Sequence, residues 1–266
     1  MRKEMVNVLL YETQTDYLTV QLFHNGDFIP HAHHNMEILV CVTGELCVVC
    51  RQQKKVLKPG EMMVAFSHDI HSYLKTGEGE GVMVIVNPRM LPMLNSRLQD
   101  HRYENFLSGQ EALFPSIAMA IYEESIGDRS QEILVGYLYV LLGTALKYLP
   151  RCGKPSEIST DTFSRVMEYL TEHYTEPTSL KQLSKRFGVD PCHLSRMFAE
   201  RLDLGFLKYL HMLRVEHCKN LLRNSDLKMH EIQTRSGFSN QKTFNRVFRE
   251  LTGMTPSEFR RNEERN

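Results

Sequence analysis

Apolar positions follow two periods along this chain, and the change of period divides it. From Val20 to Val86, short apolar runs alternate with turn signals: Glu37 to Val42, Leu46 to Arg51, Met62 to Phe66 and Val82 to Val86, punctuated at Asn25-Gly26-Asp27, Thr43-Gly44-Glu45, Lys58-Pro59-Gly60 and Gly77 to Gly81. Strands at this spacing predict an antiparallel sandwich or small barrel. Alternate side chains would line its interior, and its mouth could accept a small ligand. Residues 1 to 20 add a strand or arm of mixed polarity, with Val8-Leu9-Leu10-Tyr11 and Leu18-Thr19-Val20. After Pro88 the spacing becomes helical. A helix is expected over Leu113 to Glu124, and another over Ser130 to Leu149, where Ile133, Leu134, Tyr137, Leu138, Leu141, Leu142 and Ala145 form one stripe. That stripe could pack on the sheets or pair with its copy in a second subunit. Pro150 to Asp161 reads as a linker.

Beyond it nearly everything is helical. Thr162 to Tyr174 carries Phe163, Val166, Met167 and Leu170 at helical spacing, and Pro177 ends it. Ser179-Leu-Lys-Gln182 has the form of a capping box, and Asp190-Pro191 supplies an N-cap and a first-turn proline. The helix after Pro191 would bury Leu194, Met197 and Phe198 and expose Cys192, His193, Ser195 and Arg196. A long helix from Phe206 to Arg223 follows. Ser239 then caps a helix that buries Phe244, Val247, Phe248 and Leu251 and exposes Gln241, Lys242, Asn245 and Arg246. Leu183 to Phe198 and Ile232 to Phe248 are two copies of one pattern: a short helix, a Gly followed by an apolar residue, and a second helix closing on Ser195-Arg-Met-Phe198 or Asn245-Arg-Val-Phe248. The Gly-to-Arg distance is 8 in the first copy and 9 in the second. Each is a helix-turn-helix unit.

Charge sharpens this division. The chain has 32 basic and 32 acidic residues, but residues 161–266 hold 18 Lys and Arg against 14 Asp and Glu, a balance of +4 that suits an anionic partner. An α-helix fits the major groove of DNA, where Arg pairs bidentately with guanine and Asn or Gln with adenine. Arg196, Gln241, Asn245 and Arg246 are residues of that kind, whereas Lys185, Arg186, Lys242 and Arg249 suit phosphates. No apolar run is long enough to span a membrane and no signal-peptide pattern opens the chain, so a cytoplasmic location with six reduced cysteines is expected. Cys47 and Cys50 have metal-motif spacing, but on a strand they would face opposite ways. There is no Gly-rich phosphate loop and no nucleophile motif, so an enzyme is not expected.

His31-Ala-His33-His34-Asn-Met-Glu37 is the chemically richest stretch of the N-terminal half. On continuous extended chain His31, His33 and Glu37 would share one face, and His71, which follows a later strand, could converge on them. Three imidazoles and a carboxylate can hold a divalent metal, hydrogen-bond a ligand, or simply line a rim. The reading taken is ligand contact without a metal or other cofactor, with Arg51, Tyr73 and Tyr11 as further contacts from the interior. The stretch resembles the first motif of the cupin family, from Gly26 through His31, His33 and Glu37 to Gly44. The second cupin motif fits at Gly60 and His71, but Phe66, His68 and Lys75 replace its Pro, Gly and Asn.

Gly237-Phe238-Ser239, Phe244-Asn245-Arg246-Val247-Phe248 and Gly253-Met-Thr255-Pro256-Ser257-Glu-Phe259-Arg260 resemble the signature of the AraC/XylS family of transcription regulators. The resemblance covers residues 161–266 and extends loosely to a cupin-like sensor ahead of them. It implies base contacts from Cys192, Ser195 and Arg196 in the first unit and from Gln241, Lys242, Asn245 and Arg246 in the second. It departs at Ser184 and Gln233, where the family has a small residue, and at Asp203 with Gly205, where the family's Gly is displaced.

The fold class expected is therefore α+β. Residues 1–150 form a cupin-like antiparallel β-barrel with flanking helices, 151–161 a linker, and 162–266 an all-α domain with two helix-turn-helix units. The resemblance implies a ligand-responsive regulator with promoter DNA, a small effector such as a sugar, a second copy of the chain and RNA polymerase as partners. A metal-dependent cupin enzyme fused to a DNA-binding module is the alternative.

Overall fold

The computed structural model describes residues 18–109, 113–127, 130–153 and 162–263, so Tyr11 and residues 154–161 of the expected linker lie outside the described residues. The chain divides into two compact units between Arg165 and Val166.

The first unit opens with eight strands: β1 (Leu18–His24), β2 (Phe28–His31), β3 (Met36–Gly44), β4 (Leu46–Cys50), β5 (Gln53–Leu57), β6 (Met62–Ala65), β7 (His71–Leu74) and β8 (Gly79–Val86). A 3-10 turn (Pro88–Met90), α1 (Pro92–Asp100), β9 (Arg102–Tyr103), β10 (Phe106–Leu107), α2 (Leu113–Ile126), α3 (Gln131–Tyr148) and β11 (Arg151–Gly153) follow. All strand pairs are antiparallel. One sheet runs β1-β8-β3-β6-β10, a second β2-β7-β4-β5, and a short ribbon pairs β11 with β9.

This corrects the barrel. Among the described residues no strand belongs to both large sheets, so the domain is an open antiparallel sandwich. Closure needs a hydrogen-bond ladder that returns to its first strand. The stretch after Pro88 is also less uniformly helical than expected, because β10 extends the five-stranded sheet beside β6. Arg151–Gly153, placed in the linker from sequence, instead pairs with β9.

Side-chain parity explains why the central strands of the five-stranded sheet are apolar on both faces apart from Glu37. Leu39, Cys41, Met63, Ala65, Met83 and Ile85 point inward and pack with Phe28, Leu46, Val48, Cys50, Leu57 and Tyr73 of the other sheet. Their alternates Ile38, Val40, Met62, Val64, Val82 and Val84 pack outward against helix residues including Phe114, Ala118, Ile121, Leu138 and Leu142. A sheet covered on both faces has no polar face to alternate. The α3 stripe thus enters this core through Leu134, Leu138, Leu141, Leu142 and Ala145, whereas Ile133 (47% exposed) and Val140 (52%) stay outside it. Cys47 and Cys50 do lie on opposite faces of β4, since Leu46, Val48 and Cys50 share the inner core, and all six cysteines are free.

The helical unit comprises α4 (Thr162–His173), α5 (Leu180–Phe187), α6 (Pro191–Leu202), α7 (Phe206–Asn224), α8 (Met229–Arg235), α9 (Gln241–Thr252) and α10 (Pro256–Glu263). No described helix is long and apolar enough to cross a membrane. Local chemistry sets most helix ends. Ser179 and Gln182 close a reciprocal capping box on α5, and Thr255 and Glu258 do the same before α10. The α9 cap is Asn240 rather than Ser239: the Asn240 side chain accepts the Thr243 amide at 3.1 Å. Gln233 is half-buried and satisfied, donating to the Phe238 carbonyl at 3.1 Å, while Ser184 donates to Leu180 O at 2.8 Å.

Asp203 ends α6 in the left-handed region (φ 53°), where the corresponding cap of α9 is Gly253 (φ 77°). A Cβ is disfavoured there by about 1–2 kcal/mol and glycine loses about 0.5–1 kcal/mol more chain entropy, so Asp203→Gly should raise the stability of the helical unit by up to about 1 kcal/mol. Chemical denaturation would measure it, and a lowered midpoint would contradict the strain.

Candidate functional site

Two sites take shape, one in each unit. In the sandwich, β2 and β7 pair His31 with His71 directly. Inward-facing Glu37 on β3 comes from the opposite sheet, and His33 comes from the loop between β2 and β3. Parity on one continuous strand therefore does not make this group; two sheets facing each other do.

One ligand atom from each of His31, His33, Glu37 and His71 lies within 4.8 Å of all the others. His33 Nε2 is 3.2 Å and His71 Nε2 3.3 Å from Glu37 Oε2. The Tyr73 hydroxyl donates to Glu37 Oε1. Every Nδ1 faces a backbone carbonyl: His31 to Ile29 at 3.1 Å, His33 to Asn35 at 2.9 Å and His71 to Asp69 at 2.8 Å. A carbonyl only accepts, so each Nδ1 carries the proton and each Nε2 is directed to the cluster. His31 is 2% exposed, His71 1% and Glu37 0%. Burial opposes the Glu37 charge, but His71 and His33 outweigh it and hold the pKa well below the usual carboxylate range. Burial, with His71 beside it, pushes His31 well below the ordinary histidine value.

Arg51 is not part of this group. It forms a two-residue hairpin turn with Gln52, both at positive φ, and its guanidinium lies 3.6 Å from Asp69 and donates to Asn105 Oδ1 at 3.3 Å. Burial raises the Asp69 pKa against the opposing pull of Arg51.

In the helical unit, α6 and α9 are equivalent from cap to end. Asp190 corresponds to Asn240, Ser195 to Asn245, Arg196 to Arg246 and Phe198 to Phe248, so the one-residue slip lies in the turn before the cap. Leu194 and Phe198, or Phe244, Val247 and Phe248, are buried. Cys192, His193, Ser195 and Arg196 on α6 and Gln241, Lys242, Asn245 and Arg246 on α9 are all exposed. Arg246 Nη1 donates to both carboxylate oxygens of Glu250, at 2.8 and 3.0 Å, both side chains being more than half exposed. Such a pair contributes under about 1 kcal/mol and yields readily to a stronger acceptor.

Sequence reasoning missed an anchor of the second helix-turn-helix unit. Arg214 on α7 donates to the Tyr174 carbonyl at 2.8 Å and the Glu176 carbonyl at 3.0 Å, and lies 5.8 Å from the centre of the Phe238 ring. It thereby joins the loop after α4 to the turn of the second unit. Its partners are main-chain carbonyls about 40 residues away, so no local pattern announces it.

Comparison with known proteins places these sites in context. Residues 17–142 match the AraC-like ligand binding domain, and residues 183–262 match a helix-turn-helix domain. An uncharacterized HTH-type transcriptional regulator of Staphylococcus aureus is 35% identical over 122 residues, 45% of this chain and 16% of its own length. The HTH-type regulator YijO of Escherichia coli is 32% identical over 128 residues, 48% of this chain and 43% of its own. The chain thus spans less than half of either relative. ToxT of Vibrio cholerae shares the fold, with a TM-score of 0.54 over 92% of this chain and 98% of its own at 13% identity.

Proposed function

The chain belongs to the AraC family, with an AraC-like ligand-binding domain ahead of a helix-turn-helix domain, and from that premise we infer that it is a ligand-responsive, sequence-specific DNA-binding transcription regulator. The observation that carries this reading is the equivalence of α6 and α9, each presenting an arginine and polar neighbours at the same positions relative to its cap. Arg196, Gln241, Asn245 and Arg246 read base edges. Cys192, His193, Ser195 and Lys242 lie along the same faces and contact bases or phosphates. The two helices enter neighbouring major-groove segments about one helical turn apart.

The sandwich domain is the sensor, with His31, His33, Glu37, His71 and Tyr73 as its ligand contacts and a small metabolite, a sugar in the family resemblance, as its effector. Binding changes promoter affinity only by favouring one arrangement of the protein over another. Exposed Ile133 and Val140, seven residues apart on α3, support a homodimer. RNA polymerase is the further partner. On this reading the protein acts in the cytoplasm and is not an enzyme.

Footprinting on the gene's own upstream region, with and without candidate sugars, tests this reading. Two protected segments about one helical turn apart, changed in extent by an effector, are expected. Uniform, sequence-independent protection would remove the regulator reading.

A further inference from the structure

We propose that Lys208 and His211, on the outward face of α7 between α6 and α9, bind the DNA backbone, and that His211 does so as the imidazolium, so that a proton is taken up as the duplex binds. The inference rests on the regulator reading above for the placement of α6 and α9 in neighbouring groove segments.

Packing fixes where this face lies. Phe206 and Tyr209, in the first turn of α7, meet Phe198 of α6 at centroid distances of 5.6 and 5.9 Å. Further along, His211 stacks on Phe238 of the second helix-turn-helix unit at 6.0 Å and 29°, and Arg246 and Glu250 of α9 act on its charge. The start of α7 therefore runs from α6 to α9. Tyr209, Leu210 and Leu213 are buried on its inner side. Leu207 and Lys208 are exposed and His211 is half-buried, and spacings of three and four residues put all three on one outward face. Since the exposed Arg246 bears on His211, this face adjoins the one that α9 turns to the duplex. It lies over the backbone that separates the two groove segments.

The face is chemically suited to phosphate. Between Phe206 and Val215, α7 carries Lys208, His211 and Arg214 and no acidic residue. Arg214 is committed to main-chain carbonyls. Neither Lys208 nor His211 forms a hydrogen bond or ion pair among the described residues.

Three charged groups face His211: Arg214 on its own helix, and Arg246 and Glu250 on α9. In the free protein burial, then Arg214 and Arg246, hold its pKa below the ordinary histidine value against the opposing pull of Glu250. A phosphate oxygen at the imidazole shifts this balance, since an anion favours the charged ring. The departure of Arg246 to a base acts in the same sense: it takes away a like charge and leaves the Glu250 carboxylate facing the ring. A pKa raised by binding means an affinity gain fully present below the free-state pKa and lost as pH rises through the bound-state pKa. A lysine contact does not vary over the range in which histidine titrates.

The test measures binding of the full-length protein to a duplex of the gene's own upstream region and to random duplex of equal length, by fluorescence anisotropy at about pH 8 and about pH 6. The wild type should bind both about 3- to 10-fold more tightly at the lower pH, tenfold corresponding to a shift of about one pKa unit, with a salt slope steeper by about one. His193 on α6 is a second exposed histidine, so the comparison with variants decides. His211→Gln should lose most of the gain, and His211→Arg should bind tightly at both pH values. Lys208→Gln should weaken binding by the same factor at both and lower the salt slope by about one. Thermal melting identifies a variant that fails to fold; if that is His211→Gln, His211→Arg decides. A pH profile in the folded His211 variants that superimposes on the wild type overturns the His211 contact, and an unaltered salt slope in Lys208→Gln overturns the Lys208 contact. If the wild type prefers neither duplex while His211→Gln still flattens the profile, the backbone contact stands and the sequence-specific reading falls. Preference for the upstream duplex with an unchanged profile in both His211 variants does the reverse.

Discussion

Replacing both Arg196 and Arg246 with alanine should reduce affinity for the preferred operator by about 2–6 kcal/mol, since each bidentate base pair contributes about 1–3 kcal/mol of discrimination. The doubly substituted protein should then bind that operator no better than random duplex of equal length. Each single variant should relax the preference at one position, and the two positions should lie in neighbouring major-groove segments. The two arginines do not start from the same state. Arg196 is exposed and makes no ion pair among the described residues, whereas Arg246 must leave Glu250. Removing Arg246 should therefore cost slightly less than removing Arg196, by no more than the strength of an exposed pair. Competition binding at one fixed salt concentration measures all of this, because the phosphate contribution varies steeply with salt. Retention of full discrimination by the double variant would remove α6 and α9 as base readers.

Gly237→Ala should damage the second helix-turn-helix unit severely, while Gly188→Ala should hardly be noticed in binding. Both glycines have positive φ, 78° and 67°, and an L side chain there costs about 1–2 kcal/mol. Gly188 has nothing within 4 Å of a built Cβ. At Gly237 the same atom would meet the carbonyl oxygen, Cα and carbonyl carbon of Thr175 at 2.6, 2.7 and 2.9 Å. That is backbone against backbone, with no rotamer to relieve it. Overpacking adds roughly 1–3 kcal/mol, giving about 2–5 kcal/mol in total. Thr175 lies between Tyr174 and Glu176, whose carbonyls Arg214 holds, so displacing it also disturbs the junction of the loop after α4 with the second unit. Thermal denaturation should show the larger loss for Gly237→Ala, and footprinting should show weakened protection at one of the two segments. Equal stability of the two variants would mean that the Thr175 contact is not a tight one.

Local patterns reached different distances in the two halves. In the helical unit, caps, prolines and a 3.6-residue period act within a few residues of one another, so the exposed faces of α6 and α9 were legible, as were the ends at Gly253 and Ser179. The α9 cap was misplaced by one residue because Ser239 and Asn240 are both good caps, and burial of Phe238 in the core behind the turn separates them. In the sandwich, β3, β4, β6 and β8 were visible as apolar runs. β2, β5 and β7 were not, because His31, Lys54, Lys55, His71 and Ser72 interrupt their hydrophobicity. Closure into a barrel could not be read at all, since the choice of hydrogen-bond partner for an edge strand is non-local.

The buried histidine–glutamate cluster marks the boundary between the two kinds of information. His31, His33, Glu37 and His71 could be picked out by residue type and spacing, and the exposed polar faces of α6 and α9 by periodicity, because both signals reside in neighbouring positions of the chain. What their order along the chain left open was that Glu37 meets the histidines from an opposing sheet, that Arg51 turns away to Asp69, and that Arg214 and Gly237 pack the second helix-turn-helix unit against the loop after α4. These arrangements join residues tens of positions apart. Their energies exist only once the chain has folded, when donor and acceptor, or backbone and backbone, share the same few ångströms.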